Sequence, residues 1–292
     1  MATVGMVADL VRQIGGDHVS VTQIIGSGID PHLYKPTGFA VKQMMGADAV
    51  FYSGLHLEGK MTETLEKQLK SKPTFAIAER IDPSVLIEPE GRTGQHDPHV
   101  WMDVSAWSLC AEQVASALSE LMPDRSAEIQ ENADAYLQQL KKLHEYGREV
   151  IDTVPDDQRT LVTSHDAFQY FGRAYGIDVE SVQGLSTESE AGLQRINELV
   201  DLLVEKKVRA VFVESSIASR NIEALKEGAQ SRGHTVKLGG ELFSDAMGIT
   251  GSYTGTYIGM LDHNLTLVAR SLGGDAPERG FHGKLSWEDD AQ

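Results

Sequence analysis

The stretch DRSAEIQENADAYLQQLKKLHEYGREVIDTV, residues 124–154, decides the fold. It lies between Pro123 and Pro155. Within it Ile129, Ala133, Tyr136, Leu140, Leu143, Gly147, Val150 and Val154 recur at alternating spacings of four and three, the signature of a helix with one apolar stripe. At ~1.5 Å rise per residue such a helix is on the order of 45 Å long, enough to run the height of a two-lobed molecule. A surface helix of one large domain is the competing reading. The length of 292 residues favours two domains over one core. The expected organisation is therefore an N-terminal α/β lobe (1–123), a linker helix (124–154) and a C-terminal α/β lobe (155–292). A single helix between lobes resists hinge bending, so only slight closure on a ligand is expected.

Apolar, β-branched runs alternate with amphipathic stretches on both sides of this helix. Before it, His18 to Ile25, Ala49 to Tyr52 and Thr74 to Ile77 read as strands, and Gly38 to Met45 and Met61 to Leu69 as helices. After it, Thr160 to Thr163, Val179 to Val182, Ala210 to Val213 and Thr235 to Leu238 read as strands, with helices over Ala191 to Val204 and Asn221 to Ser231. Such alternation implies mainly parallel sheets flanked by helices, an α/β class. The polar tail from Glu278 to Gln292 is expected to fray.

The formal charge of −17 and a pI near 4.9 argue against nucleic acid or anionic lipid as the main partner, since both would be repelled. Cys110 is the single cysteine. It excludes an intrachain disulfide and a thiolate-rich zinc finger, and its place in the helical pattern of Trp107, Cys110 and Val114 reads as a buried, inert thiol. No run approaches the roughly 20 apolar residues of a membrane span. The chain opens on MATVGMVADL without a basic-then-apolar leader, so any targeting segment is expected to have been removed upstream.

Four side chains stand where strands are expected to run out into loops: His32 in GSGIDPHLYKP, His99 in QHDPHVWMD, His165 in LVTSHDAFQYFGRAYG and Asp245 in GGELFSDAMG. Ligands of open parallel sheets gather at those strand ends. A loop histidine is ordinarily just solvated, and Asp245 and Asp166 can each be read as helix caps. What lifts the four above that reading is their distribution, two in each half, as in a site shared by two lobes. His96 competes with His99 but sits in a less sheltered Gly/Gln loop. Beside His99, Trp101 is placed to exclude water and Asp103 to cap a helix beginning at Ser105. His165 precedes a helix over Ala167 to Tyr175, with Asp166 as its expected cap. Three imidazoles and a carboxylate suit Zn²⁺ in a tetrahedron, or Mn²⁺ where the carboxylate is bidentate.

Taken together, Met6-Val-Ala-Asp9, Asp30-Pro-His32, Gly54-Leu-His-Leu-Glu58, Asp97-Pro-His99-Val-Trp101, Ser164-His165-Asp-Ala-Phe168, Tyr170-Phe-Gly-Arg-Ala-Tyr-Gly176, Ser244-Asp245-Ala-Met-Gly248 and Gly255-Thr-Tyr-Ile-Gly259 resemble the TroA-like solute-binding proteins of bacterial ABC importers for manganese and zinc. The motifs cover nearly the whole chain. The resemblance implies two α/β lobes joined by one rigid helix, one divalent metal between them held by His32, His99, His165 and Asp245, and delivery to the membrane subunits of an ABC permease. It also implies a monomer in a periplasmic or other extracytoplasmic compartment, in many relatives lipid-anchored through a cysteine that this chain lacks. The loop from Glu88 to His96 is short and holds one histidine, unlike the acidic, histidine-rich loop of zinc-dedicated members, which points to manganese or to both metals. Manganese-dedicated members commonly carry glutamate where this chain has His165, which points the other way.

Two rival functions compete with this reading. A zinc hydrolase would hold the metal with the three histidines and use Asp245 or Glu241 as base, but no HExxH helix, phosphate cradle or GxSxG turn accompanies them. A two-lobed binder of siderophores or corrinoids would need an aromatic or basic cleft, of which the sequence offers no clear cluster.

Overall fold

The computed structural model describes residues 1–89, 91 and 93–287, so the last five residues of the expected frayed tail lie outside the described residues. Helix α1 (Gly5–Gly15) is followed by α2 (Gly38–Gly46), β1 (Val50–Tyr52), β2 (Thr74–Ala76), α3 (Val104–Leu121) and α4 (Ser126–Asp152). The second half continues with β3 (Thr160–Thr163), α5 (Gln169–Tyr175), β4 (Asp178–Ser181), α6 (Leu193–Glu205), β5 (Ala210–Glu214), α7 (Arg220–Ser231), β6 (Lys237–Leu242) and α8 (Tyr257–Ser271). Every strand pair (β1 with β2, β3 with β4, β5 with β6) is parallel. The expected α/β architecture of two lobes with parallel sheets is what the chain adopts.

Helix α4 spans 27 residues, about 40 Å. Its expected stripe is buried, joined by Tyr146 and Ile151, and α1, α3, α5 and α8 all pack on it. Gly147 sits where the helix comes nearest its neighbours: a Cβ there would lie 2.7 Å from Tyr175 and 2.9 Å from Leu265. A larger residue would push α5 and α8 away from the linker.

In the second lobe, side chains alternate between two apolar clusters as the two-residue period of a strand requires. Leu161, Ala210 and Phe212 face the large core shared with α4 and α8. Val162 and Val211 face a second core with Leu199, Leu203, Ile222 and Leu225 of α6 and α7. The strands are therefore covered on both faces, as parallel sheets require.

Several expectations need correction. The run from His18 to Ile25 is not one long strand: Gly16–His18 forms a 3-10 turn, and only residues near Gln23 pair. Their partner is the N-terminus itself. Ala2 N–H donates to Thr22 O, Ile24 N–H to Ala2 O and Ile25 N–H to Thr3 O, while Thr3 N–H donates to Phe51 O on the other side. Residues 1–3 thus form a short central ladder, and their length limits the pairing of 22–25. Met61 to Leu69 is not α-helical but a 3-10 turn (Gly59–Met61) followed by a π-helical turn (Thr64–Gln68). The last strand runs later than Thr235 to Leu238. It continues to Leu242 through a bulge at Gly239, since Val211 pairs with Leu238 and Phe212 with Gly240. A Cβ at Gly239 would lie 2.4 Å from the Phe212 ring, so the bulge closes only on glycine.

Candidate metal centre

Strand ends deliver three of the four expected ligands. Residues 22–25 lead into the loop carrying His32, β3 ends two residues before His165, and β6 ends three residues before Asp245. His99 differs: it precedes a 3-10 turn (Val100–Met102) that feeds into α3. Asp103 caps α3 as expected, accepting from the backbone N–H groups of Ser105 and Ala106. The cap fixes the turn on which His99 stands.

One ligand atom from each of His32, His99, His165 and Asp245 lies within 4.8 Å of all the others. Nε2 of His165 is 3.2 Å from Asp245 Oδ2, His99 Nε2 is 3.4 Å from Oδ1, and His32 Nε2 is 3.6 Å from Oδ2. Exposures of 0–4 % place all four out of bulk water. Trp101 is fully buried, lies 5.3 Å from the His99 ring and donates its indole N–H to Ser244 O, next to Asp245. It walls the site as its position in the sequence implied.

Carboxylates stand behind two of the rings. Asp97 Oδ1 accepts from the His99 backbone N–H (2.9 Å) and faces its Nδ1 at 2.7 Å. Glu214, at the end of β5, accepts from the His165 backbone N–H (2.9 Å) through one oxygen and faces Nδ1 at 2.5 Å through the other. With Nδ1–H donated to a carboxylate, the neutral ring presents the Nε2 lone pair inward, the tautomer a metal needs. The sequence reading missed Glu214; its one signal was an apolar strand, AVFVE, ending in a charge.

Electrostatically the site is built for a cation. Burial alone would raise the Asp245 carboxyl, but His165, then His99 and His32, outweigh it and hold the group below the ordinary carboxylate range. Burial resists protonation of His165, yet Glu214 and Asp245 together push it well above the usual imidazole range. His32 goes the other way, lowered to about 4 by burial, against the attraction of Asp245. Both Asp245 oxygens and His165 Nε2 are buried without a hydrogen-bond partner, an unfavourable state unless an ion completes it.

The remaining candidates fall outside this cluster. His96 is half-buried and, with His56, Pro98, Leu185 and Ser186, lines a cavity of about 210 Å³ with His32 on its wall. Asp166 is no backbone cap of α5, which has none; it accepts from Gln169 Nε2. Glu241, the alternative base of a hydrolase, is exposed on β6. Cys110 is fully buried, and burial pushes its thiol far up.

A family model described as ZnuA, zinc-uptake complex component A, periplasmic, matches residues 1–271. The chain belongs to the ZnuA family. Over 271 residues, 93% of this chain and 88% of the relative, it is 46% identical to the manganese-binding lipoprotein MntA of Bacillus subtilis (strain 168). It is 43% identical to the zinc-binding protein TroA of Treponema pallidum (strain Nichols), over 93% of this chain and 88% of the relative. The solved structure of the periplasmic zinc-binding protein TroA from Treponema pallidum superposes with a TM-score of 0.90 at 44% identity, covering 93% of this chain and 97% of that one. This ZnuA-family chain is accordingly a metal-binding substrate-binding protein of the ABC-importer class and not an enzyme. Its three imidazoles and one carboxylate form a site suited to one metal ion.

Proposed function

We propose that His32, His99, His165 and Asp245 together bind one Mn²⁺ or Zn²⁺ as cargo and that the protein carries it to an ABC permease. The observation that carries this reading is that two Asp245 oxygens and His165 Nε2 are buried with no hydrogen bond, around a point that all four side chains reach. The two metals are those of the relatives in Bacillus subtilis and Treponema pallidum. With every donor supplied by protein, no coordination position is held open for a catalytic water.

The lobes are read as 1–123 and 155–292 with 124–154 between them, in support of which α4 packs against elements of both halves. Docking to membrane subunits uses the apolar side chains left exposed near the ligand loops: Ile29 and Leu33 flank His32, and Ile249 follows Asp245. The protein acts as a monomer outside the cytoplasm, in keeping with the lipoprotein relatives; among the described residues no helix is long and apolar enough to cross a membrane.

Elemental analysis after purification without added metal, followed by competitive Mn²⁺ and Zn²⁺ titration, tests the reading. About one ion per chain is expected. His165→Ala should lose most of the affinity with an unchanged circular dichroism spectrum, and an unchanged affinity would remove His165 from the site.

A further inference from the structure

Three carboxylates each grip the backbone N–H of a ligand histidine. Asp97 holds His99, Glu214 holds His165 and Asp30 holds His32, its Oδ1 accepting from His32 N–H at 2.8 Å. In the first two cases the same carboxylate also fixes the ring at Nδ1. The third breaks the pattern: among the described residues His32 has an ion pair only at Nε2, with Asp245. Asp30 Oδ2 instead accepts a hydrogen bond of 2.5 Å from the hydroxyl of Thr187, 157 residues away in the loop between β4 and α6.

That loop does more than touch Asp30. Leu185 is buried and, with Ser186, lines the cavity that His32 also lines. Glu188, next to Thr187, makes an ion pair with Lys60. Residues 185–188 of the second half thus lie over the approach to His32 and are pinned to the first half at two points. His99 and His165 need no such tie across the cleft, because Asp97 and Glu214 each hold both the backbone and the ring of their histidine from within one half.

We infer that Thr187 and Asp30 are positioning residues for the first ligand: the Thr187 hydroxyl, by holding Asp30 across the cleft, fixes the His32 backbone in its metal-binding position and closes the loop over the bound ion. His32 is then the ligand whose placement depends on the two halves being together. When the contact opens, Asp30 and the loop that carries His32 lose their tie to the second half, and the ion is released past Leu185 and Ser186. The inference rests on the proposed four-residue metal site.

The test is the rate at which Zn²⁺-loaded protein gives up its ion to an excess of chromogenic chelator, with thermal melting of the metal-free protein in parallel. A hydrogen bond to a charged acceptor is among the stronger ones, so Thr187→Val should release Zn²⁺ about tenfold faster, with the melting temperature of the metal-free protein unmoved. Thr187→Ser, which restores the hydroxyl, should return the rate to that of wild type. Lys60→Met, which opens only the neighbouring ion pair, should speed release less. Wild-type release from Thr187→Val, or fast release in Thr187→Ser, overturns the inference, as does an equal loss of stability with and without metal. A wild-type protein that binds no Zn²⁺ overturns the metal site itself and this inference with it; binding by wild type with no effect at Thr187 overturns the clamp alone.

Discussion

Glu214→Gln isolates the contribution of the carboxylate behind His165. Glu214 is 2 % exposed, so no water replaces what the substitution removes, and glutamine preserves the shape. The carboxylate faces two donors, the His165 backbone N–H at 2.9 Å and ring Nδ1 at 2.5 Å; an amide can accept at only one of them. With its oxygen on the backbone N–H, the amide NH₂ meets Nδ1 and favours the tautomer with the proton on Nε2, where the ion must bind. With the amide reversed, a buried backbone N–H is left unsatisfied, at a cost of about 1–3 kcal/mol. Either arrangement matches the usual effect of removing an outer partner of a metal ligand, a 10–100-fold loss of affinity, or about 1.4–2.7 kcal/mol. Competitive Zn²⁺ titration against a chromophoric chelator measures it, with a melt of the metal-free protein to show that the fold persists. A dissociation constant within twofold of wild type would refute the reasoning, because it would mean that the tautomer of His165 is set by something other than Glu214.

Metal affinity should depend on pH through the same ring. Glu214 and Asp245 overcome the effect of burial and push His165 above the usual imidazole range, so a proton competes with the ion for this ring. Affinity should therefore rise with pH as that competition is removed; calorimetry in buffers of different ionisation heat should detect proton release on binding, and a pH-independent affinity would exclude it. Gly239→Ala places a Cβ 2.4 Å from the buried Phe212 ring. Overpacking of this kind costs about 1–3 kcal/mol, so the melting temperature should fall by several degrees, and an unchanged melt would show that the bulge can relax.

The elements legible in the sequence are those whose partners impose a local pattern. Helix α4 has one buried stripe, and the alternating residues of β3 and β5 fit a sheet covered on both faces. Helix α8 escaped because it is buried nearly all round and carries Asp262, His263 and Asn264 inside the protein. Asp262 and Asn264 are satisfied by distant groups: Asp262 by the Tyr253 hydroxyl and the Phe281 N–H, Asn264 by the backbone of Phe243. No short window of sequence reveals such pairs. The N-terminal ladder was hidden for the same reason, its three residues pairing with 22–25 and with β1. In the site, the four side chains that cluster were legible because turn chemistry and strand ends mark them. Glu214 and Thr187 were not, since each acts on a residue 49 or 157 positions away.

On the proposed site, the choice between manganese and zinc is expected to turn on how Asp245 is presented. Its Oδ1 faces His99 and its Oδ2 faces His165 and His32, so the carboxylate straddles the centre with both oxygens directed inward. Through one oxygen the set is three nitrogens and one oxygen, the four-coordinate arrangement zinc prefers; through both it is five-coordinate, the expansion that accommodates manganese. Ligand identity alone therefore serves either ion. His99 and His165 are fixed by carboxylates that hold both backbone and ring. The adjustable member is His32, tied across the cleft through Asp30 and Thr187. On the proposed four-residue site, selectivity is therefore expected to depend on the contact that positions His32 as well as on the four side chains themselves.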